Sequence, residues 1–512
     1  MRVLFKIFLI IFSISYTSLA DIVFCQDSKL ASLPILADGR VKPLAVHADE
    51  ILKKIISHDC KLTGTQVYCA LSLGLRNQLE ELNQCKITFK VEHEKIKNIL
   101  GVESNVLDTA IIENNIFNLR TELANEETNG RSESGYAVAL GRLLTSRQVL
   151  MEIEKGTNWK VFTDKREWIS VADIAGTANF HEVVLNQDSA LEPSFLRKLK
   201  VESFYHQLQP FNIAIWLALI GFLISLIVNK SKFLFKVAFS FGISLVFIFV
   251  IGIGFRVFIS DRAPVTNMYE TVLWSALGIL LLGLMLTWKK KESFYLMITL
   301  GSSLVLLFMM RFATGMLDSS IRPLVPVLRD NFWLSTHVTT ITLAYACFAL
   351  SWFIANALLI KRLFMEIPLA RLVEINDSIR VIIQIGSILL SAGIILGGVW
   401  ADYSWGRFWG WDPKETWSLI ALLIYMAILH GKHAGWFKGI HFTIVNAVGF
   451  LFILMAWFGV NYILASGLHS YGFSQGGAVF LFSIFITQIL IILIVLIKVG
   501  LFTNEFKNKV SN

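Results

Sequence analysis

Charge is scarce in this chain. Asp, Glu, Lys and Arg make up only 16% of its 512 residues, against 55% hydrophobic and 12% aromatic residues. A wholly soluble chain would carry more charge, so the composition points to a polytopic membrane protein with a soluble portion. Cysteine is sparse too: there are five, and no Cys-x-x-Cys pair, which speaks against a thiol oxidoreductase. Cys347 stands alone in an apolar run and reads as a small core residue. Cys25, Cys60, Cys69 and Cys85 lie early, in polar sequence, where export would permit disulfides. These four thiols allow three pairings, and the sequence does not choose among them. His47, His58, His93 and His181 lack metal-ligand spacing, which leaves them as surface or satisfied residues. The formal charge of +8 does not mark a nucleic-acid binder. Beyond the polar region its basic residues sit mostly in short loops between apolar runs, where they orient a protein in a bilayer.

Residues 1–20 carry Arg2 and Lys6 around an apolar run that ends at Ser18-Leu19-Ala20, as a signal peptide does. Residues 21–205 form an extracytoplasmic soluble domain, expected to be mostly α-helical, with helical periodicity over Leu44–Ile56 and Val106–Leu119. A polar break at Asn125–Ser134 reads as a loop, and Trp159–Ile174 as part strand, part loop. Residues 206–500 are apolar. Nine candidate spans lie near 211–228, 237–258, 268–287, 294–312, 337–360, 381–399, 413–430, 441–464 and 479–499. The expected fold is therefore an all-α polytopic membrane protein with an N-terminal extracytoplasmic domain. Lysine and arginine concentrate in alternate loops (Lys230, Lys232, Lys236; Lys289–Lys291; Lys361, Arg362, Arg371, Arg380; Lys432, Lys438) and in the tail 501–512. That asymmetry puts those loops in the cytoplasm and the segment 400–417 outside.

Segment 400–417, WADYSWGRFWGWDPKETW, holds five tryptophans: Trp400, Trp405, Trp409, Trp411 and Trp417. Indoles suit a membrane interface, so an aromatic belt is one reading. The other is a flat aromatic platform for a large planar ligand, with Gly406 and Gly410 letting the backbone come close and Arg407 and Lys414 meeting ligand carboxylates. Asp412-Pro413-Lys414-Glu415 predicts an N-cap, a proline at the first helical position and an acid at the third. A helix from there to His430 spans roughly 27 Å, about one hydrocarbon core. His337 in FWLSTHV precedes the tryptophan segment and His469 in SGLHSYGF follows it, both on its side of the bilayer. Two imidazoles so placed are a natural axial pair for a haem iron. Glu270 belongs near a helix N-terminus, where an acid is favourable. Arg256 and Arg311 read as snorkelling residues at helix ends. Arg262 either meets a ligand carboxylate or pairs with Asp261.

WGRFWGWDPKE and GLHSYGF, with the DRAPVTNMYET loop (261–271), resemble the tryptophan-rich (WWD) family of cytochrome c assembly proteins, in particular the CcsA-like subunit of System II cytochrome c synthases. DGRVKPL (38–44) is similar to a stretch in the soluble part of some fused synthases. The resemblance implies haem b held outside by His337 and His469 over Trp405, Trp409, Trp411 and Asp412, with propionates near Arg407, Lys414 or Arg262. It implies an inner haem ligand at His430, whose second ligand would come from a CcsB/ResB-like membrane subunit. The implied work is haem export, and attachment to the CxxCH thiols of apocytochrome c as part of a holocytochrome c synthase (haem lyase). Thiol-reducing proteins would assist indirectly. The implied site is the bacterial inner membrane, with the soluble domain and tryptophan loop on the periplasmic side. Two alternatives stay open: a protein passing haem to a chaperone without thioether formation, and a cytochrome b-like redox subunit.

Overall fold

The computed structural model describes residues 24–510 apart from 56, 60, 61, 75–85, 92, 131–133, 164, 176, 178, 179, 186, 188–190, 229, 230, 325–329 and 465–476. The segment 1–20, Cys60, Cys85 and His469 therefore lie outside the described residues. The chain divides into two compact units, Met1–Leu208 and Gln209–Asn512.

The first unit mixes helices with two small antiparallel sheets. Strands β1 (Pro34–Ala37), β2 (Arg40–Pro43), β6 (Lys160–Phe162) and β7 (Trp168–Ser170) form one, in the order β2-β1-β6-β7. Strands β3 (Ser57–Asp59), β4 (Lys86–Lys90) and β5 (Val106–Asp108) form the other. The β1–β2 hairpin turns at Asp38 (φ 50°) and Gly39 (φ 77°), the Asp-Gly pair that suits a two-residue turn with both φ positive. Helices Leu44–Ile55, Gly64–Ser72, Ile116–Thr128 and Gly135–Glu154 close over a core that includes Trp159, Tyr68 and Phe89. The polar break expected from Asn125 is shorter than the sequence suggested, because the helix runs on to Thr128. Cys25 pairs with Cys69. His47 is buried, its Nε2 lying 3.0 Å from the Tyr68 hydroxyl and 2.9 Å from Asn158 Oδ1 and its Nδ1 3.6 Å from the Asp38 carboxylate.

The second unit is helical. We number its long helices α1 (Pro210–Ile227), α2 (Lys232–Ser260), α3 (Met268–Lys290), α4 (Ser293–Phe312), α5 (Asn331–Phe364), α6 (Leu369–Trp405), α7 (Pro413–His433), α8 (Ile440–Leu464) and α9 (Gly477–Val510). Among the described residues eight helical stretches are long and apolar enough to cross a membrane; α7 is not among them. Lys414 and Glu415 at one end of α7, and His430, Lys432 and His433 at the other, dilute its apolar middle. It still lies against α6 and α8 like its neighbours. The protein is a multi-pass membrane protein. Within it α5 is the central helix, with 72% of its apolar window buried against 17% for α9.

Lipid is as apolar as leucine, so these helices associate through close packing and polar contacts. Gly393 of α6 meets Ile341 of α5, where an added Cβ would lie 2.5 Å from Cδ1, and Gly386 packs closely on Cys347, where an added Cβ would lie 3.0 Å away. Asn376 of α6 donates to the Gly439 carbonyl and accepts from Thr443, and Asn446 of α8 donates to the Ser351 carbonyl. Arg256 of α2 does not snorkel. It is buried and pairs with Glu270 of α3, Nη2 lying 2.7 Å from Oε1, because two adjacent helices bring the opposite charges together. Glu270 sits in the first turn of α3, where Asn267 caps its N–H, and its Oε2 accepts from the N–H and hydroxyl of Thr266.

Candidate functional site

The site is built where α5, α6, α7 and α8 meet the loop before α3. Asp330 caps the first turn of α5 by accepting from the N–H groups of Phe332 and Trp333. The chain then widens into a π-helical segment, Leu334–Val338, that contains His337. A second π-helical segment, Met455–Leu464, ends α8 and contains Trp457 and Asn461. Such segments are rare and concentrate at functional sites. Both face the same cavity.

His337 is fixed by α6. Its Nδ1 lies 2.8 Å from the Gly393 carbonyl oxygen. A carbonyl only accepts, so Nδ1 carries the hydrogen, and in the neutral ring Nε2 then offers its lone pair. Gly397 allows this approach: a Cβ there would lie 2.6 Å from Cε1 of the ring. Gly398 does the same for Phe408, whose Cζ would be 2.6 Å from an added Cβ. Trp400 packs against His337 at 5.7 Å between ring centroids.

The tryptophan segment starts as the end of α6. Gly406, at φ 69°, closes that helix. The loop then folds on its own charges. Arg407 lies over Gly410, where a Cβ would sit 0.9 Å from Nη1, and comes within 3.9 Å of Glu415. Glu415 Oε2 accepts from the N–H of Gly410 at 2.7 Å and of Asp412 at 3.2 Å. Asp412 caps α7 and Pro413 opens it, so the capping box read from the sequence is present. Lys414 Nζ donates to Asn461 Oδ1 at 3.1 Å.

These parts enclose a cavity with roughly 1100 Å³ of empty space, its open mouth included. On one side stand His337 and Thr342 of α5 with Gly397 and Trp400 of α6; Phe408, Trp409, Lys414 and Glu415 come from the tryptophan loop and the start of α7. The remaining wall is Val265–Met268, Thr271, Trp457 and Asn461. The buried Arg256–Glu270 pair, through Thr266, anchors that wall.

Of the ligand contacts expected from the sequence, the cavity gathers His337, Trp409 and Lys414. Trp405, Trp411, Arg407, Asp412 and Arg262 do not line it. Trp411 is 70% exposed, and its ring stands at 89° to that of Trp409, 5.9 Å away, so these two do not form one flat shelf. Arg262 donates to the Arg322 carbonyl and to the Thr266 hydroxyl. His430 lies in the last turn of α7, exposed, with Nδ1 2.7 Å from the Met426 carbonyl oxygen of its own helix. The sequence reading missed Gly397, Phe408, Trp457 and Asn461, and gave Trp400 no role of its own. Two of these had a signal: a Gly-Gly pair three residues before the tryptophans, and an asparagine inside an apolar run. Among the described residues no three His, Cys, Asp or Glu side chains group as a metal site.

Residues 265–469 match the family model described as cytochrome C assembly protein. Protein NrfI of Wolinella succinogenes is 37% identical over 238 residues, 43% of this chain but only 24% of that protein. Cytochrome c biogenesis protein CcsA of Guillardia theta is 31% identical over 286 residues, 51% of this chain and 93% of that protein. CcsA of Prochlorococcus marinus is 30% identical over 313 residues, 54% of this chain and 99% of its own length. The chain belongs to the CcsA family of cytochrome c biogenesis proteins.

Proposed function

We propose that this protein holds haem in the cavity beside His337 for attachment to the CxxCH thiols of apocytochrome c. The observation that carries the reading is His337 itself, locked in the tautomer that presents Nε2 and set among Trp400, Phe408, Trp409 and Lys414. Haem is a substrate here, and the residues fit it. An imidazole lone pair ligates its iron, and aromatic walls take its faces. Trp400 supports this further, since its buried indole N–H has no partner among the described residues. His469 would supply the second axial ligand, and Trp405, Trp411 and Asp412 would shape the mouth. Of Arg407, Lys414 and Arg262, the cations read from the sequence as propionate contacts, Lys414 is the one that lines the cavity.

The chemistry asks little of acids and bases. Thioether formation joins each thiol to a vinyl group, so the protein's contribution is to hold haem still and exclude alternatives, a proximity effect. On this reading His430 is a stopping point for haem arriving from the cytoplasmic end of α7, with a CcsB/ResB-like subunit giving the other ligand. The soluble unit and the tryptophan loop face the periplasm of the inner membrane. To test it, the chain is expressed with that partner and a CxxCH reporter, and covalent haem is read on a denaturing gel. His337→Ala should abolish covalent haem with the protein still in the membrane. Undiminished maturation in that variant would refute the proposal.

A further inference from the structure

Three cations lie near the cavity, and they are not equivalent. Arg407 faces Glu415, and Arg262 donates to the Arg322 carbonyl. Lys414 differs. It lines the cavity, yet among the described residues no carboxylate comes within 4.0 Å of its Nζ, and its hydrogen-bond partner is a neutral amide. It also occupies the second position of α7, at the positive end of the helix dipole, where a cation is disfavoured. A half-buried ammonium with no carboxylate at ion-pair distance among the described residues is costly at such a position in a membrane protein, and residues of this kind mark ligand sites.

The lysine is also held deliberately. Asn461 is 6% exposed, and its Nδ2 is committed to the Trp457 carbonyl oxygen at 2.9 Å and to Met268 Sδ at 3.0 Å. With the nitrogen side engaged, the oxygen side must face Lys414, which pins Nζ at the cavity wall. The π-helical turn of α8 sets that register. Trp400, 8% exposed, lines the same cavity and carries a second donor without a partner among the described residues.

Building on the haem-holding reading, we propose that Lys414, positioned by Asn461, is the anchor for a carboxylate arm of the planar ligand, and that the cavity selects porphyrins bearing a free acid. Arg407 instead stabilises the loop through Glu415. A charge-assisted hydrogen bond to a carboxylate corresponds to about a tenfold to hundredfold preference over a neutral ester.

The full-length protein in detergent is titrated with haem and with haem dimethyl ester, followed by absorption. Wild type should prefer the acid by that factor. Lys414→Met should erase the preference by weakening the acid form alone, Lys414→Arg should keep part of it, and Arg407→Gln should keep it. Asn461→Ala should reduce it. The inference is overturned if Lys414→Met keeps the preference, if it weakens acid and ester equally, or if Arg407→Gln removes the preference. If wild type binds neither porphyrin, the haem-holding reading itself fails, a result distinct from those three.

Discussion

Replacing Gly397 by alanine puts a methyl carbon 2.6 Å from Cε1, 3.0 Å from Nδ1 and 3.3 Å from Nε2 of His337. Ordinary carbon contacts need roughly 3.5–4.0 Å, so the ring must retreat by about 1 Å. That motion stretches the 2.8 Å bond from Nδ1 to the Gly393 carbonyl, which fixes the tautomer. Overpacking of this kind costs about 1–3 kcal/mol, and the lost hydrogen bond about 1 kcal/mol more. Misplacing a ligating nitrogen by about 1 Å should lower haem occupancy and maturation by about two orders of magnitude. The assay is a pyridine haemochrome measurement on purified protein beside thermal unfolding. Gly254→Ala is the control, since nothing lies within 4 Å of the Cβ it adds. The control should be neutral or slightly stabilising, as expected for alanine in a helix. Adding His337→Ala to Gly397→Ala should let free imidazole occupy the vacated space and restore haem. Full haem content in Gly397→Ala alone would refute the reasoning.

Other consequences can be checked independently. Arg256→Met should destabilise the membrane unit by about 3–5 kcal/mol because it strands the Glu270 carboxylate, and adding Glu270→Gln should recover much of that in thermal melts. Glu415→Ala releases the N–H groups of Gly410 and Asp412 and removes half of the capping box. The expected cost is about 1 kcal/mol, with a shift in tryptophan emission from the loosened loop. In the soluble unit the His47 imidazole, 3.6 Å away, and the Lys42 ammonium, 2.7 Å away, hold the Asp38 carboxyl well below the usual carboxylate range. A lowered folded-state value means this stabilisation is full above the unfolded value, near pH 4, and drains away as pH falls through the folded one. Hydrogen exchange over Pro34–Pro43 should accelerate in acid, and Asp38→Asn should flatten that acid dependence while raising exchange at neutral pH.

Local chemistry was the readable part of this chain. The Asp412–Glu415 capping box, the acid at the start of α3 and the burial of Cys347 follow from neighbours in sequence or from plain hydrophobicity. What escaped depends on contacts between helices. Arg256 reads as a snorkelling residue until α2 and α3 pack together and bring Glu270 to it. Gly397 looks like any helix glycine until the His337 ring lies across it. The perpendicular setting of Trp409 and Trp411 follows from the backbone at Trp411, with φ 56°, which no composition reveals. Most of the sheet strands were hidden by their length, since three to five residues are too few to show alternation. Trp159–Ile174, read as part strand, holds β6 and β7, whereas the Asp38-Gly39 turn reads as a family likeness and proves to be a hairpin.

The central claim is that one haem iron is held between His337 and His469 at this cavity. The direct measurement is the absorption spectrum of the reduced haem complex in wild type, His337→Ala, His469→Ala and the double variant, each with and without imidazole. The account predicts a six-coordinate bis-imidazole spectrum in wild type, loss in each single variant with recovery on adding imidazole, and the largest loss in the double variant. An unchanged spectrum in either single variant would contradict it.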